Sequence, residues 1–204
     1  MKKLTNMNIK EIFYFGESVD GYDRLVLNER EARAGAGILF LFAFFSFLHA
    51  YNQMDFHYTK IFVTFFMLDF IIRILINPKY SPSLIAGRLF VSNQKPEYVS
   101  ATPKRFAWSI GLILSIVMFI IVVILEMMVT IRIAICFLCL FLLYFESVFG
   151  ICIGCIIYYF FTKKTSKYCP GGVCDIKKKD IIQEISLVQI LIVVSSLAIA
   201  SYYI

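Results

Sequence analysis

The sequence has little charge and contains long stretches with none. Of its 204 residues only 17% are charged and 60% are hydrophobic, against roughly 45–50% apolar residues in soluble domains. A water-facing surface of ordinary area needs more charged side chains than this. The composition therefore excludes most soluble enzyme folds and predicts an all-α integral membrane protein.

Several familiar sequence signals are also absent. The first 33 residues are polar and mixed in charge, so a cleaved secretory signal is not expected. The sequence has no nucleotide or flavin signature, so no cofactor is expected. His49 and His57 lack the spacing typical of metal ligands, and no metal site is expected there. The net charge of +6 is better explained by membrane topology than by nucleic-acid binding.

Five apolar segments have lengths near or above the roughly 17–25 residues that span a bilayer. The third and fourth must be separate, because one helix over residues 106–161 would be about 84 Å long. Glu126 and Arg132 place charges at the turn between them. We therefore expect a four-helix transmembrane core (residues 34–162) and a fifth, C-terminal transmembrane helix, with helices at about 34–50, 58–76, 106–125, 133–161 and 185–204.

The basic residues alternate along these spans. Six lie in the N-terminal arm (residues 1–33), five between the second and third helices, and six in a Lys/Cys loop (residues 163–184), whereas the intervening turns contain only Lys60 and Arg132. Because basic residues accumulate on the cytoplasmic side, the arm and the loop are expected in the cytoplasm. The C-terminal end is then outside.

Two of the three cysteine pairs are candidate catalytic thiols. Cys169 and Cys174 flank a tight turn in the lysine-rich loop, where positive charge favours the reactive thiolate. Cys152 and Cys155, at i, i+3 in the fourth helix, lie on one helical face. For this pair the sequence supports thiol chemistry and simple packing about equally.

The third pair, Cys136 and Cys139, is expected to be structural. These thiols lie among Ile, Phe and Leu in the outer half of the fourth helix, where a thiol behaves as a small hydrophobe. About 24 Å of regular helix separates Cys136 from Cys152, which excludes direct exchange between them.

Two glycines accompany the thiols of the fourth helix. On a regular helix, Gly150 and Gly154 form a small-residue face that lets another helix approach closely. Cys152 and Cys155 would then lie roughly opposite that face and point toward lipid, another helix or a partner protein.

Three charged residues fall well inside the predicted spans, away from the span ends. Such residues are costly in a membrane and therefore indicate function by default. Asp69 and Arg73, at i, i+4 in the second span, can neutralise each other. Glu146 has no partner within its own helix, so we expect it to be protonated, paired with a charge such as Arg73, or part of a polar pathway.

Four motifs mark the helix ends: Asn28-Glu-Arg-Glu-Ala-Arg33; Asp69-Phe-Ile-Ile-Arg73 leading to Asn77-Pro-Lys-Tyr-Ser-Pro82; Pro103-Lys-Arg-Phe-Ala-Trp108; and Phe149-Gly-Ile-Cys-Ile-Gly-Cys155 followed by Tyr158. Together they resemble the bacterial membrane family known as domain of unknown function 4395, over about residues 28–161. The most specific part is the basic-aromatic entry to the third helix combined with the Gly-x-Cys-x-Gly-Cys ending of the fourth.

The resemblance implies a four-helix membrane core of unassigned activity in the bacterial inner (cytoplasmic) membrane. In some bacteria it appears beside thioredoxin-like and sulfurtransferase-like proteins, which are therefore the expected cytoplasmic partners besides the lipid bilayer. It makes Cys152 and Cys155 the preferred thiol site, with Asp69, Arg73 and Arg105 as core family positions. It does not extend to the other cysteine pairs or to the fifth helix.

Three functions and a purely structural role remain in competition. A thiol-disulfide or sulfur relay through the paired cysteines is favoured, because thiol exchange needs no cofactor. A small-solute carrier or assembly subunit would use Asp69, Arg73 and Glu146, and a carrier of five spans would need to form a homo-oligomer. A soft-metal site would use the four candidate thiols. Whether the protein is an enzyme stays open; a relay would be of the thiol-disulfide oxidoreductase or sulfur-transfer type.

Overall fold

The protein is described here from a computed structural model. The described residues are 15–19, 21–126, 130–162, 187, 190–192 and 194–195. The chain divides into two compact units, Met1–Cys174 and Asp175–Ile204. The few described residues of the second unit are helical. The Lys/Cys loop with Cys169 and Cys174, and most of the predicted fifth helix, lie outside the described residues.

The first unit is mostly helical. Its elements in chain order are β1 (Val26–Asn28), α1 (Glu29–Gln53), α2 (His57–Ile71), α3 (Pro82–Val91), β2 (Tyr98–Ser100), α4 (Ala101–Phe119), α5 (Thr130–Tyr144) and α6 (Ile153–Thr162). Three of the helices continue directly into five-residue π-helical segments: α2 into Ile72–Ile76, α4 into Ile120–Ile124 and α5 into Phe145–Phe149.

The first unit also contains a small antiparallel sheet, which the all-α prediction did not include. Strand β1 pairs with β2, with Val26 opposite Ser100 and Asn28 opposite Tyr98. Each strand leads directly into a long helix, so the pairing brings the N-terminal ends of α1 and α4 side by side. The Glu29 N–H donates to the Glu97 carbonyl at 2.7 Å, which extends the connection by one residue.

Three helical stretches are long and apolar enough to cross a membrane: Glu29–Gln53, Ala101–Ile124 and Arg132–Phe149. Large apolar side chains project outward from them, including Phe42 and Ile113, each 62% exposed. Such surfaces suit a lipid environment better than water. The complete five-span arrangement and its orientation stay predictions.

The core joins α1, α2, α4 and α5. Leu39, Phe66, Phe70 and Trp108 are buried together with Leu143 in one hydrophobic cluster. The rings of Phe66 and Phe70 pack at an interplanar angle of 41° with centroids 4.5 Å apart. This packing fixes α4 against α1 and α2 close to the paired strands.

The helix expected over residues 133–161 is not continuous. It ends in the π-helical segment Phe145–Phe149, and Gly150 follows in the left-handed region with φ +67°. The chain then restarts as α6. The helical geometry that placed Cys152 and Cys155 opposite the glycine face therefore does not apply.

Candidate functional site

A buried lysine lies in the first turn of α4. The Lys104 side chain is fully buried, and its Nζ lies 2.9 Å from Oε2 of Glu29 and 2.7 Å from Oε1 of Glu146. Glu29 is the first residue of α1, and Glu146 lies in the π-helical segment after α5. Three elements thus converge on one ammonium, and the two carboxylates compensate its buried charge.

The two thiols that follow the helix break lie beside this lysine. Cys152 and Cys155 are buried, 5% and 1% exposed, and neither forms a disulfide. The two side chains interact with each other, and both interact electrostatically with Lys104. We call Glu29, Lys104, Glu146, Cys152 and Cys155 the thiol–lysine cluster.

Cys152 stands at the N-terminal end of α6. Its carbonyl accepts from the N–H groups of Cys155 at 3.0 Å and Ile156 at 3.1 Å, the first turn of that helix. A helix N-terminus favours negative charge, as does the Lys104 ammonium. Burial of the two thiols opposes their charged form, so a thiolate in this cluster depends on the lysine and the helix N-terminus. The carboxylates of the cluster are the groups nearby that can take up its proton.

The glycine at the break is required by geometry. A left-handed backbone suits glycine because it has no Cβ, and a Cβ at Gly150 would lie 3.1 Å from the Arg33 guanidinium. Arg33 also donates to the Val148 carbonyl at 3.2 Å, near the end of the π-helical segment. Gly154 lies against α4, where an added Cβ would come within 2.6 Å of the Ala107 Cβ. The break and this close contact together bring α6 onto α4.

The charges of the second span form a separate network. Arg73 Nε lies 2.8 Å from Asp69 Oδ2, so the expected ion pair is present, with both side chains buried. Ser81 Oγ donates to Asp69 Oδ1 at 2.7 Å, the Ser83 N–H donates to the same atom at 2.9 Å, and Arg73 donates to the Ser83 hydroxyl. These contacts use the charges to hold α2 against the start of α3. Glu146, for which Arg73 was one expected partner, pairs with Lys104 instead.

A mostly apolar cavity of about 320 Å³ adjoins the cluster. Cys152 and Glu146 line one part of it, and Cys139 also lines it. From the sequence, Cys139 was expected to be a packing residue. In the structure one thiol of each pair, Cys139 and Cys152, lines this cavity. Cys136 lines a different, smaller cavity with Cys139.

Two members of the cluster, Glu29 and Lys104, were missed from the sequence. Lys104 was counted as a cytoplasmic charge and Glu29 as part of the N-terminal arm. Both also lie in the family motifs, but neither was named as a site residue. One signal could have found Lys104. A lysine in the first turn of a helix opposes the helix dipole and so needs a nearby carboxylate.

Metal ligands are not grouped in the part of the chain that the structure describes. Within residues 15–19, 21–126 and 130–162, no three His, Cys, Asp or Glu side chains are placed to hold one ion. A soft-metal site would therefore depend on Cys169 and Cys174, which lie outside the described residues.

The cluster lies within a region that matches a known family model. The model described as Domain of unknown function (DUF4395) matches residues 27–163. The chain belongs to this family. The resemblance found in the sequence over about residues 28–161 is thus confirmed, and the DUF4395 region contains the whole cluster but neither Cys169 nor Cys174. No curated protein and no solved structure matches the chain.

Proposed function

We propose that this DUF4395 protein is a membrane thiol relay in which Cys152 and Cys155 cycle between dithiol and disulfide. The observation that carries the proposal is a pair of buried thiols that interact electrostatically with a buried lysine, whose charge two carboxylates compensate. A packing role for the thiols would not require charge next to them. A lysine buried with two carboxylates is costly to desolvate, which favours a functional reason for its place.

The setting of the relay is the bilayer. We propose a five-span arrangement in the bacterial inner membrane, with the N-terminal arm and the Lys/Cys loop in the cytoplasm. The three long apolar helices support the membrane location, and the alternation of basic residues supports the orientation. Lys104 then lies at the cytoplasmic end of α4.

The relay exchanges disulfides with a cytoplasmic thioredoxin-like partner. The Cys152 thiolate attacks one sulfur of the partner's disulfide, forms a mixed disulfide and releases the partner's other sulfur as a thiolate. Cys155 then attacks the Cys152 sulfur, which closes the internal disulfide and releases the partner fully reduced. Two electrons and two protons leave the dithiol and appear in the partner's dithiol. The same steps in reverse reduce the pair.

The roles of the two thiols follow from their positions. Cys152 lines the cavity and stands at the N-terminal end of α6, whereas Cys155 is the more buried and does not line the cavity. Cys152 is therefore the attacking thiol and Cys155 the resolving one. Because both are buried, a protein partner reaches Cys152 only after α6 moves, and the left-handed Gly150 is the hinge available for that movement.

Single cysteine variants test this proposal in intact cells quenched with acid. Cys155→Ser removes the resolving thiol, so Cys152 should accumulate a mixed disulfide with its partner, visible by non-reducing gel and peptide mass. Cys152→Ser should give none. Cys136→Ser is the matched control, because it removes a thiol of the same span that does not line the cluster's cavity, and it should behave as the parent protein. Equal thiol states in all variants would contradict the relay.

A sulfurtransferase-like partner is the closest variant of the same function. In that case Cys152 would hold a persulfide, and the same quenched sample would show an added sulfur atom on its peptide. The carrier alternative gains no support from Asp69 and Arg73, because their charges are satisfied by each other and by Ser81 and Ser83. It would now rest on Glu146.

A further inference from the structure

The cavity beside Cys152 has the size and lining of a small-molecule site, which disulfide exchange with a protein partner does not require. Its volume of about 320 Å³ falls within the roughly 300–1,000 Å³ range of small-molecule pockets. Aromatic side chains dominate one part of the lining, contributed by Phe66, Phe70, Trp108 and Phe141. Cys152 and Glu146 supply a thiol and a carboxyl group to the same space.

One polar donor on the cavity wall has no protein partner. Trp108 is 3% exposed, and its indole Nε1 finds no acceptor among the described residues. A buried donor is normally hydrogen-bonded, because leaving it unpaired is unfavourable. Trp108 lines this cavity and a second one of about 50 Å³ beside Glu17 and Arg88. A ligand in the larger cavity that presents a carbonyl oxygen to the indole Nε1 would satisfy the donor.

The chemistry of the thiols narrows the ligand further. A dithiol among membrane helices can also pass its two electrons to an acceptor that is itself soluble in lipid. A flat ring that bears carbonyl oxygens meets the aromatic walls and the donor at once. The geometry points to a lipid-soluble quinone as the occupant of this cavity and as the electron acceptor of Cys152 and Cys155; this inference rests on the proposed relay.

The step balances without a further cofactor. The Cys152 sulfur adds to the quinone ring, and Cys155 then attacks the Cys152 sulfur. The carbon–sulfur bond breaks as the disulfide forms, and the electron pair of that bond stays on the ring. The two protons lost by the thiols go to the two quinone oxygens, with Glu146 at the cavity as the carrier. One dithiol and one quinone thus become one disulfide and one quinol.

The test uses the full chain in lipid nanodiscs, reduced, freed of reductant and kept anaerobic. A short-chain ubiquinone analogue is added, and its reduction is followed by absorbance while peptide mass identifies the thiols lost. We expect one quinone reduced per chain, with loss of the Cys152 and Cys155 thiols. In a parallel sample, glutathione disulfide replaces the quinone.

The two samples separate this inference from the proposed function. If glutathione disulfide oxidises Cys152 and Cys155 but the quinone does not, the relay stands and the quinone assignment is wrong. If neither reagent oxidises the pair, both are wrong. Oxidation confined to Cys139, which also lines the cavity, would likewise overturn the assignment.

Matched variants locate the quinone. Leu114→Phe adds bulk to the cavity wall, and Ile113→Phe adds the same ring to the adjacent residue, which is exposed and does not line the cavity. We expect the first to slow quinone reduction at least about tenfold at low quinone concentration and the second to leave it unchanged. Equal rates in the two variants would contradict binding in this cavity.

Trp108 gives two further measurements. Trp108→Phe should raise the quinone concentration for half-maximal rate about five- to tenfold, the loss of one neutral hydrogen bond, with little change in the maximal rate. In Cys152→Ser, where the chemistry stops, the quinone should quench the fluorescence of this single tryptophan in a saturable way. Quenching that only rises linearly with quinone would contradict a defined site.

Discussion

Replacing Lys104 by Met removes the ammonium that the carboxylates of Glu29 and Glu146 share. Glu29 is 1% exposed and cannot turn to water without local opening, whereas the Glu146 side chain is 15% exposed and only partly buried. Met has nearly the same length and no charge, so the packing changes little. The change in the free energy of unfolding then measures the electrostatic contribution of Lys104.

The expected loss is large. Removing one partner of a buried ion pair typically lowers the free energy of unfolding by about 3–5 kcal/mol, because the remaining charge stays buried without compensation. Adding Glu29→Gln and Glu146→Gln to Lys104→Met removes that uncompensated charge. Since a buried ion pair replaced by neutral groups is often close to neutral in stability, this triple variant should recover at least about half of the loss.

The assay is unfolding in mixed micelles of increasing SDS content, followed by the fluorescence of Trp108, the single tryptophan of the chain. Arg88→Gln is the control, because it breaks a half-exposed pair with Glu31 at 2.9 Å, which is worth less than about 1 kcal/mol. If Lys104→Met costs no more than this control, the cluster does not hold the charges that its geometry implies.

Three other substitutions give distinct outcomes in the same background. Asp69→Asn leaves a buried guanidinium without its carboxylate and should lower the unfolding free energy by about 3–5 kcal/mol in the SDS assay, with thiol oxidation rates unchanged. Gly154→Val forces α6 away from α4 and should lower the unfolding free energy by about 1–3 kcal/mol through overpacking. Gly37→Ala is its control, because the added Cβ meets its nearest neighbour at an ordinary distance of 3.6 Å. It should lower the unfolding free energy by less than half as much. Lys60 holds the pKa of Glu126 below its ordinary value by a hydrogen bond and by its charge. The pair therefore stabilises the fold at pH values above the ordinary glutamate pKa. This stabilisation is lost as the pH falls through the lowered pKa of Glu126. Lys60→Met should return that pKa to its ordinary value in a carboxyl-carbon NMR titration, and an unchanged titration would show that the pair does not form.

Local sequence patterns predicted the parts of the fold that depend on neighbouring residues. The apolar run at residues 58–76 corresponds to α2 and its π-helical continuation, and the i, i+4 spacing of Asp69 and Arg73 gives the ion pair. The β1–β2 pair could not be found in this way, because Val26 and Ser100 are far apart in sequence. Nothing in either short strand specifies its partner.

Glu29 and Lys104, the two cluster residues that were missed from the sequence, were missed for one physical reason. Hydropathy locates the apolar part of a helix, so it placed the start of the first helix at residue 34 and of the third at residue 106. The helices begin at Glu29 and Ala101, because polar first turns are stabilised by caps and paired charges rather than by burial in lipid. Asn28 accepts from the Arg30 N–H and caps α1. Glu29 and Lys104 lie in these polar first turns, which a hydropathy window assigns to loops.

The position of the thiols depends on a backbone feature that the periodicity of the sequence cannot reveal. Continued as a regular helix, residues 145–155 would turn Cys152 and Cys155 away from the small-residue face. The left-handed Gly150 ends that helix and lets α6 begin in a new direction, where Gly154 is small enough to meet α4. The contact brings both thiols near enough to interact electrostatically with Lys104, which belongs to α4. Gly150 and Gly154 therefore bring the dithiol close to the Lys104 ammonium. A Gly-x-Cys-x-Gly-Cys sequence can thus place two thiols beside a charge on another helix, which a cysteine pair on an unbroken helix at this position could not do.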